Sequence, residues 1–476
     1  MAGALAPKLA LARAVAMLSR MRGGGATSAP GKVLLGLDPD AIGALGSRLR
    51  EGSVLVSATN GKTTTTAMAA GIFERAGIEL VHNAEGANMT SGIATALLAA
   101  ARPRGGIAGR LGLFEVDELY LDTVAAQLRP RAILLGNLFR DQLDRYGELE
   151  TIAERWAADL QTDRLVLNAD DPLIADLGRE RENALYFGID DDSLALGGMS
   201  HAADAKHCRR CGAPYVFDAI YLGHLGHYHC PGCGQRRPAP SVWAGDVVLE
   251  GVRAARFTLH SLAGEAPVSL ALPGLYNVYN AVAAAALASA LQVPLQSIVE
   301  GLQQTRAAFG RAETVTLRPG ARTPSNGAAG GANDAARAPR ELRILLVKNP
   351  AGANEVLRTL ALEPGEHDVL GVLNDGIADG RDVSWIWDAD FELLGGRIRS
   401  FTCSGSRAPE LAVRMKYAGV QESRIRIEPD LRAALERAAA DRPDAQAPLY
   451  ALPTYTAMLS LRELLHARGE VSGSWS

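Results

Sequence analysis

The sequence predicts an α/β protein: a phosphate-binding nucleotide domain with a four-cysteine insertion, followed by a second, Rossmann-like α/β unit. Three observations carry this expectation. The stretch VLVSATNGKTTTTAMAAG, Val54 to Gly71, runs an apolar strand into a Gly-Lys-Thr turn and then into a helical pattern. Strand-like runs recur at RLGLFEV, RAILLGN and RLVLNAD with helical stretches between them, as a parallel sheet requires. A second series opens at ELRILLVKNP, continues through HDVLGVLND and closes with LYALPTYTAMLSLRELL.

Residues 1–50 read as a basic lead-in. MAGALAPKLALARAVAMLSRMR places Lys8 and Arg13 where a signal peptide needs an unbroken apolar run. A basic helix without acidic residues can rest on a membrane surface, but a helix docked on the protein is the simpler reading. Ala266 to Val299 is uncharged apart from Glu265 before it, yet Pro273, Asn277, Asn280, Gln292 and Pro294 interrupt it, so its Ala-rich part reads as a packed core helix. The expected location is cytoplasmic, at most peripheral at the inner face of the cell membrane. With 49 Lys and Arg against 53 Asp and Glu, the chain has no general attraction to nucleic acid.

Residues 51–317 hold the nucleotide unit. In TNGKTTT the Gly61 backbone can approach an anion closely, and amides opening a helix point toward it. Thr59, Asn60, Gly61, Lys62, Thr63 and Thr64 are the candidate ATP-binding residues. Lys62 would neutralise the β- and γ-phosphates, and Thr63 would ligate Mg²⁺. Val56 stands where the eight-residue phosphate-loop signature has its first glycine, so that pattern is not met.

SATNGKTTT resembles the ATP loop of the Mur ligase family, with Ala58 in place of a glycine. Four more stretches agree in order: FEVDE, GNLFRDQLDRYGE, GLYNVYNAVAAA and FGRAE. The resemblance implies that Glu115 is a Mg²⁺ ligand, that Asn280 meets adenine, and that Gly310 and Arg311 introduce the C-terminal domain, with Arg311 at the nucleotide. Lys62 and Glu115 then serve catalysis as well as binding. There are departures. Gln142 replaces the family's metal-binding His, and no Lys lies between Lys62 and Lys206 to be carbamylated for a second Mg²⁺. The fifty or so residues before the loop are too few for a uridine-nucleotide domain, which argues against a soluble UDP-linked acceptor.

The insertion, about residues 200–240, carries CRRCG and CPGCG. Cys208, Cys211, Cys230 and Cys233 thus form two C-x₂-C knuckles, a spacing that turns four thiolates onto one Zn²⁺. Four-sulfur coordination leaves no open position, so the zinc is expected to be structural. His207, His224, His227 and His229 nearby read as exposed loop histidines, with one of them standing in as a metal ligand the alternative. Residues 318–340, RPGARTPSNGAAGGANDAARAPR after Leu317, carry no large apolar side chain and read as a disordered linker.

The C-terminal unit, 341–476, contains LVKNPAGANEVL, in which Lys348, Asn349 and Pro350 resemble a changed form of a Mur motif. It also contains the Asp-rich loop NDGIADGRDVSWIWDADFE. The combination of Mur-like core, four-cysteine ribbon and this unit resembles the Mur-ligase-like synthetase subunits of lipid II isoglutaminyl synthases. That resemblance implies ATP-dependent amidation of the D-glutamate α-carboxylate of lipid II through an acyl phosphate, in peptidoglycan biosynthesis. Ammonia would come from a GatD-like glutaminase subunit in a heterodimer, since Cys403, the one cysteine outside the ribbon, has no nucleophile motif around it. Asp388 or Asp382 is the candidate to face that partner and orient its catalytic His. Two other readings stay open on the residues: a Mur- or folylpolyglutamate-type amino-acid ligase, and a zinc-ribbon nucleic-acid-binding ATPase, which the acidic balance disfavours.

Overall fold

Alternation along the first strand explains how the first sheet is buried on both faces. In the computed structural model, which describes residues 2–21, 28–83, 86–102, 106–141, 149–199, 203–305, 311–318, 339–441 and 447–471, β1 (Ser53–Ser57) is wholly buried. Val54 and Val56 face one core with Met68, Ile72 and Phe73, while Leu55 faces another with Leu45, Ile133 and Leu135. Successive strand side chains point to opposite faces, so an unbroken apolar run fits a central strand covered on both sides.

The other strands of this region are β2 (Leu80–His82), β3 (Leu111–Glu115), β4 (Ala132–Leu135), β5 (Arg164–Asn168) and β6 (Ala184–Ile189). After them come the hairpin β7 (Val216–Leu222) and β8 (Leu225–His229), then β9 (Val242–Glu250), β10 (Ala254–Ser261) and β11 (Gly264–Leu270). Nine strands form one sheet in the order β11-β10-β9-β6-β5-β4-β1-β3-β2, parallel from β9 to β2 with an antiparallel edge. The β7–β8 pair is antiparallel and separate from it.

The Ala-rich helix Leu275–Ala290 packs across this sheet with residues 281–288 all buried. Its small side chains let the backbone lie close to the helix Lys62–Arg75 that follows the Gly-Lys-Thr turn.

A second sheet contains β12 (Arg311–Leu317), β13 (Arg340–Leu345), β14 (His367–Val372), β15 (Ile398–Ser404), β16 (Ile425–Ile427) and β17 (Leu449–Pro453). Its order is β12-β13-β17-β14-β15-β16, parallel except for β12. The α/β architecture expected from the sequence is therefore present in both halves. Gln142, Gly310 and residues 319–338 of the expected linker lie outside the described residues, as does the side chain of Arg311. Among the described residues no helix is long and apolar enough to cross a membrane.

Candidate active site

Ligands of open α/β sheets sit beyond the carboxyl ends of the strands, and here the carboxyl ends of two sheets face one cavity of about 310 Å³. From the first sheet come the turn after β1, Glu115 at the end of β3, and Asn137 and Phe139 after β4. From the second come Lys348 after β13 and Tyr455 after β17.

The turn is shaped by Gly61, whose φ of +86° suits glycine and whose absent Cβ would lie 2.1 Å from Asn280 Oδ1. Asn280 in turn accepts from Thr65 Oγ1 at 3.2 Å and donates to Asn277 at 3.2 Å. The loop is held from β4 as well: Asn137 exchanges hydrogen bonds with the Asn60 backbone, at 2.9 Å each way. Thr59 Oγ1 accepts from the Phe139 amide at 3.1 Å.

Lys62 is buried, with Nζ donating to the Ala58 carbonyl at 2.9 Å and to Glu118 Oε2 at 3.0 Å. Burial by itself would lower its pKa, but Glu118, then Glu115, Asp117 and Asp141, outweigh it and hold the ammonium above its ordinary value. Glu115 accepts from Asn88 Nδ2 at 3.2 Å, and Asn83 binds the Glu115 backbone on both sides.

The two sheets are tied together at the loop. Lys348 Nζ donates to Asp141 at 2.6 Å and lies 3.4 Å from the Thr59 carbonyl. Asn349 Nδ2 donates to Asn60 at 2.9 Å and to Asp141 at 3.0 Å.

Thr59, Asn60, Gly61, Lys62, Thr63, Thr64, Glu115 and Asn280 all line the cavity. Asp382 and Asp388 do not. Asp382 is exposed and accepts from the Ser384 amide at 2.8 Å; bonds from Ser384 hold its carboxyl below the usual range. Asp388 ends the short helix Ser384–Trp387 and lies 3.5 Å from the Arg140 guanidinium, which also pairs with Asp204. Asp117, Glu118 and Asp141 were not singled out from the sequence, although FEVDE and NLFRDQ contain them. What marks them is the common approach to Lys62, which is a tertiary fact.

The four ribbon cysteines come together at the open end of the β7–β8 hairpin. Their sulfurs lie within 4.8 Å of one another, with Cys211 to Cys230 at 3.4 Å and Cys208 to Cys233 at 3.6 Å. Zinc–sulfur bonds of about 2.3 Å imply sulfur separations of about 3.8 Å, so the donor set fits. The thiols shift in opposite directions. Desolvation would raise Cys230, but the Cys233 amide, the Cys211 thiol and the Gly232 amide bring it down to about 6. Against the Ala213 amide, the Cys230 thiol pushes Cys211 up to about 12. One expectation fails for three of the four histidines. His224 is fully buried, because the hairpin tip that carries it is pressed into the first sheet's core. His227 and His229 lie half-buried on strand β8, while His207 is exposed.

Comparison with known proteins follows the same two halves. The family profile "Mur ligase middle domain" matches residues 56–212, and "MurT ligase C-terminal" matches 346–458. A relative from Streptococcus pneumoniae (strain ATCC BAA-255 / R6), "Lipid II isoglutaminyl synthase (glutamine-hydrolyzing) subunit MurT", is 32% identical over 95% of this chain and 94% of its own. A protein of the same description from Staphylococcus aureus (strain N315) is 31% identical over 96% of each chain. Among solved structures, a pseudomurein peptide ligase type C from Methanothermus fervidus superposes with a TM-score of 0.65 at 23% identity, covering 89% of this chain and 80% of that one. MurF ligase from Thermotoga maritima in complex with ADP gives 0.59 at 14% identity, covering 93% and 84%. At those identities the structural likeness speaks to the fold.

Proposed function

Because the chain belongs to the MurT family of Mur-type ligases, and is itself a ligase of peptidoglycan synthesis, we propose that it amidates the α-carboxylate of D-glutamate in lipid II. The observation that carries this reading is the cavity between the two sheets, where a glycine turn, two lysines and several carboxylates converge. A carboxylate resists attack by ammonia until its oxygen becomes a leaving group. In the proposed reaction a carboxylate oxygen of the substrate attacks the γ-phosphorus of ATP and ADP leaves. Ammonia then attacks the acyl carbon, inorganic phosphate departs, and the nitrogen loses a proton to give the amide.

The turn amides, Lys62, Thr63 and Thr64 hold the phosphates, and Lys348 brings a second cation from the other sheet. Asn280, with the aromatic Tyr276 and Tyr279 that also line the cavity, would meet the base. Mg²⁺ would be held by Thr63 and Glu115 and would offset phosphate charge; Glu115, Asp117, Glu118 and Asp141 around Lys62 and Lys348 leave room for that positive charge. Zn²⁺ would be held by Cys208, Cys211, Cys230 and Cys233 in a structural role.

The word subunit in the relatives' names points to a complex, and a glutaminase partner would supply the ammonia. Cys403 is a poor alternative nucleophile: it is fully buried, and burial pushes its thiol up to about 12. Asp388 or Asp382 would face that partner.

The test is mass spectrometry of lipid II after incubation with the purified chain, Mg-ATP and ammonium chloride. The expected result is an acid-to-amide mass change with matching ADP release, absent with glutamine until the partner is added. Asp388→Asn or Asp382→Asn should abolish the glutamine-driven reaction and spare the ammonia-driven one. ATP hydrolysis with amino acids but not ammonia as acceptors would overturn the amidation reading.

A further inference from the structure

The four-cysteine hairpin has two ends, and they do different things. At its open end are the sulfurs. Its closed end, the turn Leu222–Leu225, reaches the cavity, where Leu222 and Leu225 form part of the wall beside Leu272, Tyr276 and Tyr279. Leu225 and Cys230 are five residues apart along β8, or about 16 Å at the rise of a strand. The ribbon is thus both a metal site and a piece of the pocket.

His224 locks that turn in place. Its ring packs on Phe139 with centroids 4.4 Å apart. Nδ1 accepts from the Asp204 amide at 3.3 Å, and Nε2 lies 3.4 Å from Asp171 Oδ2 without a hydrogen bond to it. The same Asp171 oxygen accepts from the Leu138 amide at 2.9 Å, in the segment that carries Asn137, Phe139 and Asp141. The fit is close: a Cβ on Gly223, whose φ is +59°, would meet Phe139 at 2.7 Å. Gly226 N then donates to the Asp170 carbonyl at 3.0 Å.

A two-stranded hairpin has little stability of its own. It needs its tip docked and its open end closed. We propose that metal held by the four cysteines and nucleotide held in the cavity are thermodynamically coupled through this hairpin, with His224 as the positioning residue and Leu222 and Leu225 as the wall against the base. This rests on the reading of the cavity as a nucleotide site. Coupling of equilibrium affinities is reciprocal, so each ligand strengthens the other by the same factor.

The experiment is calorimetric titration of the full chain with a non-hydrolysable ATP analogue in Mg²⁺ buffer, before and after zinc is stripped by chelation. Stripping should weaken analogue binding tenfold or more, while tripolyphosphate, which has no base, binds equally in both states. Saturating analogue should slow zinc release to a chromogenic chelator. In zinc-loaded protein, His224→Ala and the double variant Leu222→Ala/Leu225→Ala should weaken the analogue but not tripolyphosphate, with zinc content unchanged. These variants decide the matter if stripping unfolds the chain, which circular dichroism would show. Equal analogue affinity in folded stripped protein, or in the tip variants, overturns the coupling. Failure of zinc-loaded wild-type protein to bind the analogue at all overturns instead the nucleotide reading beneath it.

Discussion

Lys62 shows how a single residue is set by opposing physical effects. Desolvation disfavours its charge, yet Glu118, Glu115, Asp117 and Asp141 more than compensate, so its pKa is raised. A lysine whose folded pKa is raised adds stability that is present below its unfolded pKa and lost as pH rises through the folded one. Its contribution is therefore intact at neutral pH and lost in the alkaline range. Gly61 is constrained by space and by backbone. Gly61→Ala would force a left-handed alanine, at about 1–2 kcal/mol, and drive its methyl into Asn280 Oδ1. The expected outcome is a lower melting temperature together with at least tenfold weaker ATP binding; calorimetric titration of folded variant protein checks it. Unchanged binding would mean that Asn280 can swing away without consequence.

At the scale of one element, the helix Pro350–Ala361 joins a legible start to an illegible interior. Asn349 caps it, accepting from the Gly352 amide at 2.9 Å, and Pro350 takes a first-turn position where its missing N–H costs nothing. Asn-Pro before a helical pattern can be read from sequence. Glu355, one turn on, cannot: it is buried in the cavity wall. Desolvation raises its pKa, opposed by Arg358 at 2.5 Å and reinforced by Asp390. A carboxyl with a raised folded pKa is least costly when protonated, so stability falls as pH rises through that value. Glu355→Gln should therefore raise the melting temperature at pH 8, with the gain shrinking toward pH 4. A pH series of thermal melts checks this, and a variant less stable than wild type at pH 8 would show that the Arg358 pair outweighs burial.

For the whole molecule the decisive feature is that two sheets share one site. Lys348 and Asn349 on the second sheet reach Asp141, Asn60 and the Thr59 carbonyl on the first. Lys348→Met would leave Asp141 with Asn349 as its hydrogen-bonding partner in this bridge. Losing a hydrogen bond between charged groups costs about 1.5–3 kcal/mol, enough to shift an arrangement of the sheets toward opening. Small-angle scattering should report a larger radius of gyration for the variant, and turnover should fall at least tenfold. Asp141→Asn should act in the same direction. An unchanged radius with lost turnover would place Lys348 in the chemistry alone.

Much of this chain was written locally. The apolar strand before Gly61-Lys62-Thr63, the alternation that buries β1 on both faces and the two C-x₂-C knuckles all act over a few neighbours, where residue type and spacing suffice. Hence the α/β class, the glycine turn and the four-sulfur cluster were legible before any coordinates. The carboxylates around Lys62, the bridge from Lys348 to Asp141 and the burial of His224 join positions far apart in the chain. Their meaning depends on which strand ends meet and on how much water the meeting excludes, and burial and distance are properties that only the packed chain possesses.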